Sequence, residues 1–246
     1  MKRTVYRVIM IVLTLSFTAP LIYSVFMSFG KKQYLELIMN NNSFFGYLLE
    51  SVLYSAVSAV LAVIFSLPLG YFFAKVDFKF RDFLFFIYII VMLLPFQATQ
   101  LSGYLAMKHL NLINNPLSLI LMICFSPKAV FLLRQCLKTM PDDIGDAFRL
   151  ESGSVLKYIR YIILPYAAPM IATLFVLLFC EAYSLIEPAN VYMPQNIEQR
   201  PLSSVISNLG HEAYNAGISA FLLPVVILYL ALEAHVQKGM DYYQWN

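Results

Sequence analysis

Three ionisable side chains lie inside stretches that are otherwise apolar: Lys128, directly after Pro127, and Glu181 and Glu187 in a later run. A charge held in hydrocarbon costs about 3 kcal/mol unless it is paired or hydrated, so each is a candidate for a solute pathway, a cavity or an ion pair. For Lys128 the plain alternative is a side chain that snorkels to the interface. Glu181 and Glu187 are six positions apart, about 600° around a helix at about 100° per residue, so they do not share a face. Tyr183, Asn190 and Tyr192 follow in the same region and can stack on or hydrogen-bond a polar solute. Tyr192 fits an aromatic belt at a membrane interface better.

Nothing else in the chain assembles into a catalytic set. His109, His211 and His235 are scattered, and no GxxxxGK[ST], HExxH or GxSxG sequence occurs. A phosphate cradle, a zinc site and a nucleophile elbow are therefore all without a motif. The three cysteines, Cys124, Cys136 and Cys180, show no CxxC spacing and read as small apolar filler. Energy for any transport must come from an ion gradient or from another subunit.

A second chemistry-bearing stretch is "PDDIGDAFRLESGSVLKYIRYIILPYAAP", Pro141 to Pro169, which sets charge and a Ser-Gly-Ser break between two apolar runs. Pro141 near a helix start with Asp142 and Asp143 in the first turn suits the positive end of a helix dipole. Ile144, Ala147, Phe148 and Glu151 then share one face. Gly153 can end that helix in the left-handed conformation and Ser154 can cap the next, which runs through Val155, Leu156, Ile159 and Ile163. Pro165 and Pro169 impose a defined re-entry into the apolar run. Phe148 would face water unless a partner covers it, so the segment reads as a docking element for a cytoplasmic protein.

The elements that must position these residues are transmembrane helices. Of 246 residues, 60% are hydrophobic and only 13% charged, a scarcity of charge that points to lipid as the solvent. Apolar runs long enough to cross a bilayer recur, giving six spans at about 6–29, 44–74, 82–107, 116–138, 162–189 and 203–235. The last could instead be a short interfacial helix followed by a span from about Ile218. The first is too long for the core of a signal peptide. Pro68, Gly70 and Pro95 can bend spans two and three around a cavity or serve as packing kinks. With the N-terminus inside, twelve Lys and Arg residues fall on the cytoplasmic side, among them Lys75, Arg81, Arg134, Lys138 and Arg160, against Lys31, Lys32, Lys108 and Arg200 outside. The bias places both termini and the 141–160 segment in the cytoplasm. The basic residues cluster beside spans, which argues for topology signals and against a nucleic-acid partner. The expectation is an all-α polytopic membrane protein, a single domain of six transmembrane helices with a cytoplasmic coupling helix between spans four and five.

The 141–169 stretch resembles the signature loop of the membrane permease subunits of bacterial ABC importers, the carbohydrate type in particular, which reads approximately EAA-x-x-DGA between a proline and a Leu-Pro. Asp146-Ala147-Phe148 takes the EAA place, Glu151-Ser152-Gly153 that of DGA, and Leu164-Pro165 with Pro169 closes the motif without a gap. "TAPLIYSVFMSFG", "NSFFGYLLESVLYSAVSAVLAVIFSLPLGYFFAK", "MLLPFQA" and "HVQKGM" also look like their counterparts in that family, so the resemblance covers nearly the whole chain. Departures are Phe148 and Ser152 in the loop, and Glu181-Ala182 where the family commonly has Trp-Asn. The resemblance implies that Asp146, Ala147, Phe148, Glu151, Ser152 and Gly153 couple to an ATPase subunit. It implies ATP and Mg on those partner subunits and no cofactor in this chain. It also implies a second, usually different, permease subunit, an extracellular substrate-binding protein and a bacterial inner membrane as the setting. Lys128, Glu181, Glu187, Tyr183 and Asn190 are then candidates for the pathway of a sugar or related solute. An ion-coupled secondary transporter or a non-transporting membrane scaffold is the competing reading.

Overall fold

A computed structural model describes residues 2–29, 34, 37, 44–151, 154–209 and 213–241. Helix dominates these residues and no strand occurs among them. In chain order they form α1 (Lys2–Ser28), α2 (Phe44–Lys75), α3 (Arg81–Met92), α4 (Phe96–His109), α5 (Leu117–Cys124), α6 (Pro127–Lys138), α7 (Asp142–Glu151) and α8 (Val155–Tyr158). A π-helical turn (Ile159–Ile163) leads into α9 (Leu164–Tyr183), followed by α10 (Glu187–Tyr192), α11 (Leu202–Val205) and α12 (Tyr214–Asp241).

Among the described residues, five stretches are long and apolar enough to cross a bilayer: Tyr6–Ser28, Phe44–Lys75, Leu117–Lys138, Leu156–Tyr183 and Tyr214–Gln237. A sixth crossing exists if α3 and α4, bent by 97° relative to each other, count as one. The bend falls at Leu93–Pro95, where Pro95 is extended (φ −70°, ψ 152°). Proline lacks the amide donor a continuing helix needs and pushes its predecessor out of the helical region. The third span expected over 82–107 is therefore broken at Pro95, the residue named as able to bend it. At the other end of the chain a short helix, α11, precedes the final span, the second of the two arrangements expected there.

The core forms around α2, which packs against α5, α6 and α9, while α9 also packs on α12. The sequence permits this because α2 carries small residues about one turn apart: Ser51, Ser55, Ser58, Ala59, Ala62, Ser66 and Gly70 are all buried. Small side chains let helix backbones approach closely, which matters in lipid, where the tails are as apolar as leucine and exclusion from water drives nothing. At Gly70 the approach is closest: a Cβ there would lie 2.8 Å from Cβ of Leu133 on α6. Leu133, Leu137, Ile163, Ala167, Leu174 and Leu178 complete the interior. α1 stands at the edge, packed on α12 and exposing Phe17 and Phe26, with the hydroxyls of Thr14 and Thr18 bonded to carbonyls one turn back. That is the pattern of a helix whose polar groups must be satisfied internally.

Arg134 closes one end of the bundle. Its guanidinium donates to the carbonyl of Phe73 and to Asp82, both at 3.1 Å, and lies 3.8 Å from the Phe85 ring centroid. Those contacts tie α6 to α2 and α3 at the end that also holds Lys75, Arg81 and α7.

Candidate functional site

Three helix breaks each lie beside a polar side chain. The fourth crossing is interrupted at Phe125–Ser126, and α6 restarts at Pro127, with Lys128 in its first turn. The fifth ends at Tyr183, and α10 begins four residues later at Glu187. The third breaks at Leu93–Pro95, and Gln97 opens α4. Lys128 Nζ lies 2.7 Å from Glu181 Oε2, and Gln97 donates to Glu187 Oε2 at 2.7 Å. Each break thus contributes to one of two polar pairs, and Lys128 itself lies in the middle of the Leu117–Lys138 stretch. Non-helical backbone at membrane depth persists where protein or a water-filled cavity surrounds it. The Lys128 and Glu181 side chains are 46% and 40% exposed on this single chain, so the pair faces outward from the chain rather than into its core. Facing hydrocarbon would cost several kcal/mol, about 3 per charge, which makes this face a candidate for a pathway or a subunit contact.

Glu181 and Glu187 take different partners, but they lie on separate helices, α9 and α10, so the angular spacing expected along one helix does not apply to them. Tyr183 is a correction. It is 1% exposed, its ring stacks on Phe179 and Phe221, and its hydroxyl donates to the Phe221 carbonyl at 3.0 Å. It joins α9 to α12 as a core residue, and no solute-facing surface remains on it. Asn190 Oδ1 accepts from Arg200 at 3.1 Å, while Arg200 also bonds the carbonyls of Met193 and Pro194. Tyr192 is buried and packs edge-on against Phe96, not on a membrane belt. The 193–201 loop is further tied down by Asn114, which accepts from the Gln195 amide at 2.9 Å.

The charged segment adopts the helix expected. α7 begins at Asp142, has Asp142 and Asp143 in its first turn, and carries Asp146, Ala147 and Glu151 in helical conformation. Ser152 and Gly153 lie outside the described residues. The Tyr158 amide donates to the Ser154 carbonyl at 3.0 Å, opening α8. Phe148 departs from its expected exposure: it is half-buried, its ring 5.3 Å from that of Tyr158. The cover that seemed to require a partner comes from the same chain. Asp142 is ion-paired to Lys75 at 2.6 Å, and that hydrogen bond and charge hold its carboxyl below the usual carboxylate range. Lys75, Tyr71, Tyr158 and Gln97 were not singled out from the sequence. Lys75 entered only the charge count, and its partner lies 67 residues away, beyond any local pattern.

The sequence matches the family described as binding-protein-dependent transport system inner membrane component over residues 66–241. It is 28% identical over 196 residues to the arabinooligosaccharides transport system permease protein AraQ of Halalkalibacterium halodurans, covering 78% of this chain and 70% of that one. It is 25% identical over 213 residues to the sn-glycerol-3-phosphate transport system permease protein UgpE of Salmonella typhi, covering 82% and 72%. In fold it resembles a chain of a bacterial ABC transporter involved in the import of the acidic polysaccharide alginate, with a TM-score of 0.82 at 18% identity over 95% of each chain. A chain of the MetNI methionine ABC transporter in an inward-facing conformation is also similar, with a TM-score of 0.57 at 17% identity, covering 80% of this chain and 95% of that one.

Proposed function

The chain belongs to the family of binding-protein-dependent transport system inner membrane components, and from that premise we propose that it conducts a neutral oligosaccharide or related polyol. It is the membrane-spanning permease subunit of an ABC importer and not itself an enzyme; family membership decides this over an ion-coupled transporter or a scaffold. In the proposed assembly ATP and Mg reside on two ATPase subunits. A second, different permease chain completes the pathway, and an extracellular binding protein delivers the solute. Both termini and α7 face the cytoplasm, in keeping with the excess of Lys and Arg at that end. α7 docks on an ATPase through Asp146, Ala147, Glu151, Ser152 and Gly153, with Phe148 held inward.

The observation that carries the choice of solute is the Lys128–Glu181 pair at the helix breaks. The relatives named above carry both neutral and anionic solutes. A phosphate ester needs an uncompensated cation or an array of free donors. Here Lys128 is matched by Glu181, and Glu187 adds a second carboxylate. Such a surface suits hydroxyl groups, which both donate and accept.

Uptake of radiolabelled neutral oligosaccharides and of glycerol phosphates into proteoliposomes holding the complete importer tests the reading. Uptake of the neutral solutes is expected. Uptake of the phosphate esters alone would overturn it.

A further inference from the structure

The C-terminal turn of α2 does not end in open water; it grips α7 at two points. Lys75, the last residue of α2, has a side chain only 12% exposed, bonds Asp142 at 2.6 Å and also donates to the Met140 carbonyl. One turn earlier Tyr71 packs edge-on against Tyr158, ring centroids 5.9 Å apart, and Tyr158 packs on Phe148. The fit is close at Gly145, where a Cβ would lie 3.0 Å from Tyr158 Oη. The charged contact holds the start of α7 and the aromatic relay holds its second half.

The covalent route from α7 to α9 is softer. It runs through the π-helical turn Ile159–Ile163, closed by the Leu164 amide on the Ile159 carbonyl. Pro165 follows and offers no amide to the preceding turn. π turns inside helices are local weak points that recur at functional sites. A cavity of about 680 Å³, lined by Leu67, Pro68, Tyr71, Phe148 and Ile159 among others, lies beside this turn, whose last residue, Ile163, is buried in the core.

We propose that α2, and not α9, is the element that receives the stroke of α7, with Lys75 and Tyr71 as its positioning residues. α2 is one helix of 32 residues, and near its far end Ser51 Oγ accepts the Leu202 amide at 2.6 Å. Movement entering at Lys75 therefore reaches α11 directly. Through the Gly70–Leu133 approach it also reaches α6, whose first turn carries Lys128. Both ends of the pathway and its polar pair are linked to α7 through one continuous helix, with Pro68 inside it.

This inference rests on the reading of α7 as the segment docked on the ATPase, and the experiment separates the two. The complete importer in proteoliposomes is assayed for ATP hydrolysis with and without solute-loaded binding protein, and for subunit assembly. Lys75→Met and Tyr71→Leu should each lower the ratio of stimulated to unstimulated hydrolysis by about fivefold or more, the lower range of coupling between sites. Lys75→Arg should restore it. Asp142→Ala, at a side chain 84% exposed, should reproduce the loss even where Lys75→Met assembles poorly. Glu151→Lys serves as the control on α7 itself. If Glu151→Lys lowers the ratio while Lys75→Met, Asp142→Ala and Tyr71→Leu leave it intact, the α2 route is overturned and the docking reading stands. If Glu151→Lys also leaves it intact, both are overturned.

Discussion

Lys75 and Asp142 stand 67 residues apart in sequence and 2.6 Å apart in the fold, joining the end of a membrane helix to the start of the charged one. The pair gives a pH dependence of definite sign. Lys75 holds the Asp142 carboxyl below its ordinary value. A carboxyl with a depressed folded pKa stabilises fully above its unfolded value, about 4, and loses that contribution as pH falls through the lower folded value. The difference in thermal midpoint between wild type and Lys75→Met should thus be constant near neutrality and vanish in acid. A difference undiminished in acid would assign the effect to the Met140 carbonyl instead.

Lys128 and Glu181 predict a non-additive pair of substitutions. Glu181→Gln alone leaves a cation at bilayer depth without its partner and should destabilise the detergent-solubilised chain by about 1–2 kcal/mol, between values for exposed and buried pairs. Lys128→Met with Glu181→Gln should recover most of that loss. Additive losses in thermal unfolding would mean the two side chains do not interact.

Gly70 predicts a steric effect. Gly70→Ala places a methyl group 2.8 Å from Leu133 Cβ, forcing α2 and α6 apart at a cost of about 1–3 kcal/mol. Leu133→Ala in the same chain keeps the Cβ that the new methyl meets, and so should not relieve the loss. A Gly70→Ala chain as stable as wild type would show that the two helices separate freely at this level.

Arg134 predicts that charge alone is insufficient at its position. Its side chain, 9% exposed, serves a carbonyl, a carboxylate and an aromatic face at once. Lysine cannot present that planar fork. Arg134→Lys should lower stability by about 1.5–3 kcal/mol, the value of a charged hydrogen bond, with a larger loss for Arg134→Ala. Equal stability of Arg134→Lys and wild type, read by the same unfolding assay, would reduce the residue to a topology signal.

Local signals were legible where the partner of a residue was its own helix. Pro141, Asp142 and Asp143 announce the start of α7 by dipole chemistry, and the apolar runs announce the crossings by length. Pairings between distant elements left no such trace. Lys128 and Glu181 were each visible as charges in oil, yet nothing in the order of residues said they would find one another 53 positions apart. Tyr183 looked like a polar aromatic free for a solute, because a hydroxyl satisfied by the Phe221 carbonyl is invisible without the packing of α9 on α12. Phe148 was misjudged for the same reason: its cover, Tyr158, comes from α8, ten residues further along the chain. Pro95 signalled a kink, but the 97° bend depends on where α4 finds its neighbours.

The π turn at Ile159–Ile163 has a consequence for the phase of the helices on either side. A π turn is equivalent to one residue inserted into an α-helix, and one residue is about 100° of rotation. Tyr158 and everything before it are therefore turned by that angle relative to the face α9 buries. Deleting a single residue from the turn would rewind it to α geometry and swing the Tyr158 ring away from Tyr71, while every residue of the aromatic relay remained in the chain. The aim of the charged helix is set by a count of residues, and a chain one residue shorter would point it at a different neighbour.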